Sequence, residues 1–258
     1  MKIGQCGMWA ALGALSLGLG GCFSEKKILA GGGVEYRPAL LVPVFPLSRE
    51  AKGRVSVVAG KATMDVNPVV LDNGGIITQR VDDSVRFLFD GMLGLNEAWA
   101  LRVSMQSDVY GLLASWHKAG EYVDAEVHFG FHVSQMAVTR VDSVYPNTFD
   151  LLSNPRTDTT DGQARGVAPE LGTTLVLLPA GLVRPWLSWS VTTLADPGLE
   201  SDAQAAIPLG GFIHSFSAGL VASAATGPIA WGGAGVAGSN ARRIHWGWNA
   251  YGGVGWEF

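Results

Sequence analysis

The chain has 258 residues and a formal net charge of −4; 48% of its residues are hydrophobic and only 16% are charged. Soluble domains usually carry about 25% charged residues, so this surface is under-charged for water. No basic cluster makes a case for nucleic acid, and the length suits one large domain or two small ones.

Lys2 is the only early charge, and Met8 to Leu19 is an apolar stretch that falls short of the roughly 20 residues a membrane-spanning helix needs. It ends in Leu19-Gly20-Gly21-Cys22, which resembles the bacterial lipobox. The resemblance implies that residues 1–21 are a signal peptide, cleaved before Cys22, and that Cys22 is acylated. Cys6 would leave with the signal, so the mature chain keeps one cysteine and has no internal disulfide. A lone free thiol is a liability in an oxidising periplasm, whereas an acylated one is not. Phe23 follows; by resemblance to lipoprotein sorting in enteric bacteria, the lack of Asp there favours the outer membrane. Residues 22–51 read as a lipidated tether, because Ala30-Gly31-Gly32-Gly33 is flexible and Pro38, Pro43 and Pro46 interrupt the apolar stretch after it.

From residue 52 to 258 the side chains alternate with the period of a strand. Ten strands are predicted: 52–64, 83–92, 97–106, 109–117, 121–138, 172–180, 183–195, 209–224, 227–237 and 243–258. Val123, Ala125, Val127, Phe129, Phe131 and Val133 oppose Asp124, Glu126, His128, Gly130, His132 and Ser134. In the last strand Ile244, Trp246, Trp248, Ala250, Val254, Trp256 and Phe258 oppose a polar, glycine-rich face. Every long gap is odd-numbered and every even-numbered gap is short, as in a barrel with short periplasmic turns and long outer loops. Both chain ends are then expected on the periplasmic side. Phase changes near Gln106–Asp108 and near Gln135 read as a turn or a bulge, so eight or twelve strands stay possible. Residues 203–241 hold no Asp, Glu, Lys or Arg; Pro208, His214 and a period-two pattern oppose a membrane helix there.

This pattern resembles bacterial outer-membrane β-barrels, including their C-terminal strand that ends in an aromatic residue, here Trp246, Trp248, Tyr251, Trp256 and Phe258. The subfamily is not identified. The resemblance implies an all-β, antiparallel, up-and-down transmembrane barrel over 52–258. Its expected partners are outer-membrane lipid and the barrel-assembly and lipoprotein-sorting machineries; the oligomeric state is unknown. Only helices and closed barrels satisfy every backbone group in lipid, and Trp at strand ends suits the headgroup level. Most such barrels are not lipoproteins, which keeps open a soluble, periplasmic, β-rich lipoprotein that binds a ligand or partner.

The polar face supplies a lumen cluster of Arg54, Arg86, Asp90, Arg102, Asp124, Glu126, His128, His132 and His245, with Asn249, Tyr251 and Glu257. Buried charges must pair or be wetted, so these groups form an ion-pair plug or line a small polar path. His128 and His132 lie about 13 Å apart along a strand, too far for one metal to bridge. No metal or cofactor is expected. A barrel-rim hydrolase is the third reading. Lipid A deacylases use a lipid-facing His and Ser two residues apart, whereas Ser215 and Ser217 oppose His214, so no enzyme is expected. The outer loop 139–171 reads as solvated. The expected role is structural or one of small-solute passage, with the substrate unknown.

Overall fold

The structure, a computed structural model, describes residues 26–37, 39–64, 66–107, 109–145, 155–194, 211–223, 226–240 and 245–258. Ten strands form a closed antiparallel ring. They are β2 (Gly53–Ala62), β5 (Arg86–Gly94), β6 (Trp99–Gln106), β7 (Val109–Lys118), β8 (Val123–Tyr145), β9 (Arg156–Leu177), β10 (Val183–Leu194), β11 (Gly211–Ser223), β12 (Gly227–Ser239) and β13 (His245–Glu257). Each pairs with its neighbour, and β13 returns to β2 through pairs from Asn249↔Ala62 to Glu257↔Arg54. Each ring strand overlaps one of the ten strands expected from alternation, but β8 runs on past 138 and β9 begins sixteen residues before 172. Closure pairs the backbone of the last strand on both edges. Past its end, Phe258 accepts hydrogen bonds from the backbone N–H groups of Lys52 and Gly53 (2.7 and 3.1 Å) and donates to Gly53 (3.0 Å).

Three further strands stand outside the ring: β1 (Lys26–Arg37), β3 (Val69–Val70) and β4 (Ile76–Val81). β8 and β9 pair without interruption from Val123↔Leu177 to Val144↔Arg156, so the expected loop 139–171 is largely a continuation of the hairpin. β7 pairs with β8 only up to Val133. Beyond it β1 takes over the same edge, from Arg37↔Gln135 to Lys26↔Tyr145. β4 lies parallel to β1, and β3 pairs with β4. The resulting cap has its own core of Leu29, Val34, Tyr36, Leu71, Ile77 and Met136, which reaches Leu194 and Ile213 at the ends of β10 and β11.

The two phase changes have different causes. At Gln106–Val109 a two-residue hairpin turn places Ser107 at φ 39, the left-handed geometry that tight hairpins require. Near Gln135 there is neither turn nor bulge. The odd positions of β8 change from exposed or half-buried Phe129, Phe131 and Val133 to buried Gln135 and half-buried Ala137, Thr139, Val141 and Ser143. The even positions change from Glu126, His128 and His132 to Met136 and Val138, which meet the cap core, followed by the Arg140–Asp142 ion pair and buried Val144. β9 inverts at the same level: Leu175, Leu171 and Val167 give way to Arg165, Gln163 and Asp161.

The expected tether is overturned over its described part. β1 is a paired strand, and Ala39, Leu40, Leu41, Val42, Val44 and Phe45 are buried. Leu40, Val42 and Phe45 pack on inward side chains of seven ring strands: Val58, Leu88, Val176, Trp186, Val221, Ile229 and Trp231, with Tyr251. Val44 and Leu47 follow, against Met92 and Ala100. The chain therefore runs from the cap through the lumen to the short-turn end, where β2 begins. Lys26 and Phe258 lie at opposite ends of the barrel. The physical reason is that an apolar run without alternation is stable where it is covered on every side, and the lumen covers it.

Room for this segment comes from bulky side chains seated on glycines. Trp186 lies over Gly219 and Gly233; a Cβ on Gly219 would stand 2.6 Å from the indole, and one on Gly233 would also stand 2.5 Å from the Ala218 carbonyl oxygen. Gly233→Ala is therefore expected to lower unfolding free energy by about 1–3 kcal/mol through overpacking, read from the urea midpoint of the refolded barrel.

Candidate functional site in the lumen

The lumen has two unlike halves. One wall, mainly β10 to β13 with β2 and β5, grips the threaded segment through aromatic side chains. Phe45 packs edge-on to Trp186 and Trp231, with centroids 5.7 and 5.5 Å apart, and Tyr251 stacks on Trp186 at 6.0 Å. Polar tethers hold the segment at two heights. The Leu40 N–H donates to the Gln106 side-chain oxygen at 2.9 Å. The Phe45 carbonyl accepts from the Arg54 guanidinium at 3.1 Å.

The charges sit on inward positions of β13, β2, β5, β6, β8 and β9, so that β2, β5 and β13 carry both kinds of side chain. Arg102 Nε donates to Asp90 Oδ1 at 2.6 Å, and Ser56 donates to Asp90 Oδ2 at 3.3 Å. Arg54 Nη1 stands 3.5 Å from Glu257. Higher up, Glu170 of β9 bridges two histidines of β8: its Oε1 is 3.1 Å from His128 Nε2, and its Oε2 bonds His132 Nε2. Glu126 meets the other nitrogen of His128 at 3.3 Å. Asn249 donates to Ser215 and, at 3.0 Å, to Ser217. These are the arrangements that burial demands, since an unpartnered charge in such a place is costly.

Of the nine residues expected in the lumen cluster, Arg54, Arg86, Asp90, Arg102, Glu126, His128 and His132 are buried inside. Two stand apart. Asp124 is half-buried at the short-turn rim, where it accepts the Gly120 N–H at 3.0 Å. His245 is half-buried at the opposite end of β13. Glu170 was absent from the expected cluster because its segment read as loop. Its signal was there, since Glu170, Gly172 and Thr174 alternate with Leu171, Thr173 and Leu175. Among the described residues no group of three or more His, Cys, Asp and Glu is arranged to hold a metal.

In the C-terminal strand Trp246, Trp248, Trp256 and Phe258 are exposed on the outer surface. Tyr251 differs: it turns inward and is buried. Trp186 and Trp231 also face the lumen, where they serve as a wall for the threaded segment and not as outer-rim residues. His214 faces outward while Ser215 and Ser217 are buried inward, so the residues weighed for a hydrolase do not meet. Cys22 lies outside the described residues. At the short-turn mouth, residues 47–52 pass between two cavities of about 670 and 870 Å³.

No family model matches the chain, and no curated protein matches it. Solved structures do. Ail, the attachment invasion locus protein of Yersinia pestis, aligns at 12% identity over 81% of this chain and 99% of its own, with a TM-score of 0.25. Its complex with the heparin analogue sucrose octasulfate gives 10% identity, the same coverages and a TM-score of 0.26. The CymD monoaromatic hydrocarbon channel gives 10% identity over 81% of this chain and 89% of its own, with a TM-score of 0.32. Likeness this distant says nothing of function.

Proposed function

We propose that this chain is an outer-membrane β-barrel, acylated at Cys22 and inserted through its C-terminal strand by the barrel-assembly machinery, and that its role is structural: it fixes the cap at the surface and keeps its own lumen closed. The observation that carries this reading is the inversion in β8 and β9. Outward residues of β9 turn from Leu175, Leu171 and Val167 to Arg165, Gln163 and Asp161, and the apolar outward run of β8 ends at Val133 at the same level, giving way to a mixed set with Thr139 and Ser143 among Ala137 and Val141, while the pairing of the two strands does not change. Ten steps at about 3.3 Å, tilted about 40°, make about 25 Å, the height of the apolar band on such barrels. The solvent outside β8 and β9 therefore changes from hydrocarbon to water just above the Val133↔Val167 pair. Aromatic residues collect near both edges of the band: Trp99, Tyr122, Trp256 and Phe258 below, Tyr110, Phe212 and Trp246 above, all exposed.

A soluble lipoprotein would have to leave this ring of exposed Val, Phe, Leu and Trp in water, far beyond ordinary surface patches. Small-solute passage requires the segment 39–47 to leave the lumen, since it fills one half while ion pairs fill the other. The test is a pair of measurements. The folded chain should migrate faster than the boiled chain on a denaturing gel. Val103→Arg, on the outer face of β6 where Val103 is 55% exposed, should lower stability in vesicles by about 2–4 kcal/mol if it meets the bilayer interior. On a water-exposed face it would change stability by no more than about 0.5 kcal/mol, and that result, with no gel shift, would favour the soluble reading.

A further inference from the structure

We infer that the barrel carries its own amino-terminal segment across the membrane, so that Lys26–Arg37 stands on the outer face, opposite Phe258. The inference rests on the membrane reading above. It reverses the expectation that both chain ends are periplasmic.

Three observations carry it. First, β1 pairs with β8 only from Gln135 to Tyr145, entirely above the level where the outward side chains turn polar. That level is the long-connection end of the barrel, which in outer-membrane barrels faces outward. Second, β1 is antiparallel to β8, so the chain descends from Lys26 to Arg37 and then continues down the lumen. The lumen stretch is tied near the top by Leu40 to Gln106 and near the bottom by Phe45 to Arg54. It emerges at the short-turn end, where β2 starts beside Phe258.

Third, chain length forbids the alternative. Cys22 precedes Lys26 by four residues, which span at most about 14 Å. From Lys26 back to Arg37 is about 36 Å of strand, and the apolar band below adds about 25 Å. An acyl chain on Cys22 therefore cannot reach the inner leaflet while β1 stays paired. The threading also dictates the order of assembly. The amino-terminal segment must lie along the inner face of the sheet before β13 pairs with β2, because a closed cylinder gives a lipidated end no route through.

Site-directed labelling tests this. With Cys6 cleaved and Cys22 acylated, the parent has no free thiol, so a membrane-impermeant maleimide should leave it unlabelled. Lys27→Cys replaces an exposed residue of β1 whose ammonium is 3.2 Å from Asp158. Asp72→Cys sits at the exposed tip of the cap, and Asn96→Cys in the exposed β5–β6 turn. In intact cells Lys27→Cys and Asp72→Cys should label as fully as in lysed cells, and Asn96→Cys only after lysis. Labelling of Asp72→Cys but not Lys27→Cys in intact cells would overturn the threading and leave the barrel standing. Protection of both Asp72→Cys and Lys27→Cys would overturn the membrane reading along with it. A labelled parent would show Cys22 unacylated, and the three variants are then compared in a Cys22→Ser background with the same outcomes.

Discussion

The double substitution Val42→Asp/Phe45→Asp is expected to turn a silent barrel into a conducting one. In the parent, Val42 and Phe45 lie in the apolar half of the lumen, 2% exposed each, against Trp186, Trp231, Val58 and Ile229. Burying each such side chain contributes about 1.5–3 kcal/mol, and each ring contact of Phe45 adds about 0.5–1.5 kcal/mol. A carboxylate at position 42 has only apolar neighbours, and the one cation beside position 45, Arg54, is already engaged by the Phe45 carbonyl and by Glu257. Burial of such a carboxylate costs several kcal/mol in practice, so two of them reverse the preference and drive segment 39–47 into water. What they leave is a void the width of one extended chain, lined by indole rings on one side and by the charges of Arg54, Asp90 and Arg102 on the other. Single-channel recording in planar bilayers should then show steps for small ions that the parent lacks. The heat-modifiable gel shift keeps the outcome interpretable, because it reports whether the ring still closes. A shifted, folded double variant that stays as silent as the parent would mean that the threaded segment is not what closes the lumen. Phe45→Ala supplies the milder arm: it removes the wedge between Trp186 and Trp231 without adding charge, and brief, infrequent openings are expected from it.

The ten ring strands were legible because their two sides meet opposite solvents, hydrocarbon outside and paired charge inside. Alternation records that contrast at nearly every position of β2, β5 to β8 and β13. Where the contrast disappears, so does the signal. Ala39 to Phe45 is surrounded on all sides, so it has no polar face, and its prolines made a lumen rod read as a linker. The glycines of β1 misled in the same direction. Gly31 and Gly32 are not loose: a Cβ on Gly31 would stand 2.9 Å from the carbonyl oxygen of Ile76, and one on Gly32 would strike the backbone of Thr139. They let three strands approach closely. Glu170 was hidden by the inversion, since a hairpin that exchanges hydrocarbon for water halfway along its length alternates in two contradictory senses and reads as loop. The lumen cluster was legible as a list of residues but not as pairs, because pairing depends on which strands face each other. Sequence places Asp90 and Arg102 on one face; only the register Asp90↔Ser104 and Met92↔Arg102 brings their side chains to 2.6 Å.

That pair supports the second large effect. Arg102→Met is expected to lower the barrel's unfolding free energy by about 3–5 kcal/mol, the usual result of stranding one partner of a buried ion pair. Both residues are almost wholly buried, 3% and 7% exposed, and without the guanidinium the hydrogen bond left to Asp90 is that of the Ser56 hydroxyl at 3.3 Å. Asp90→Val should cost a comparable amount by stranding Arg102, with some relief from the other lumen carboxylates. The combined variant Arg102→Met/Asp90→Val should recover most of the loss, because a pair of apolar side chains in place of a buried ion pair is often neutral. The measurement is the urea midpoint of reversible folding into vesicles for all four members of the cycle. Strong non-additivity is the expected result. Costs that simply add would mean that Asp90 and Arg102 are each satisfied separately, by water entering an open lumen, and the closed interior described above would be wrong.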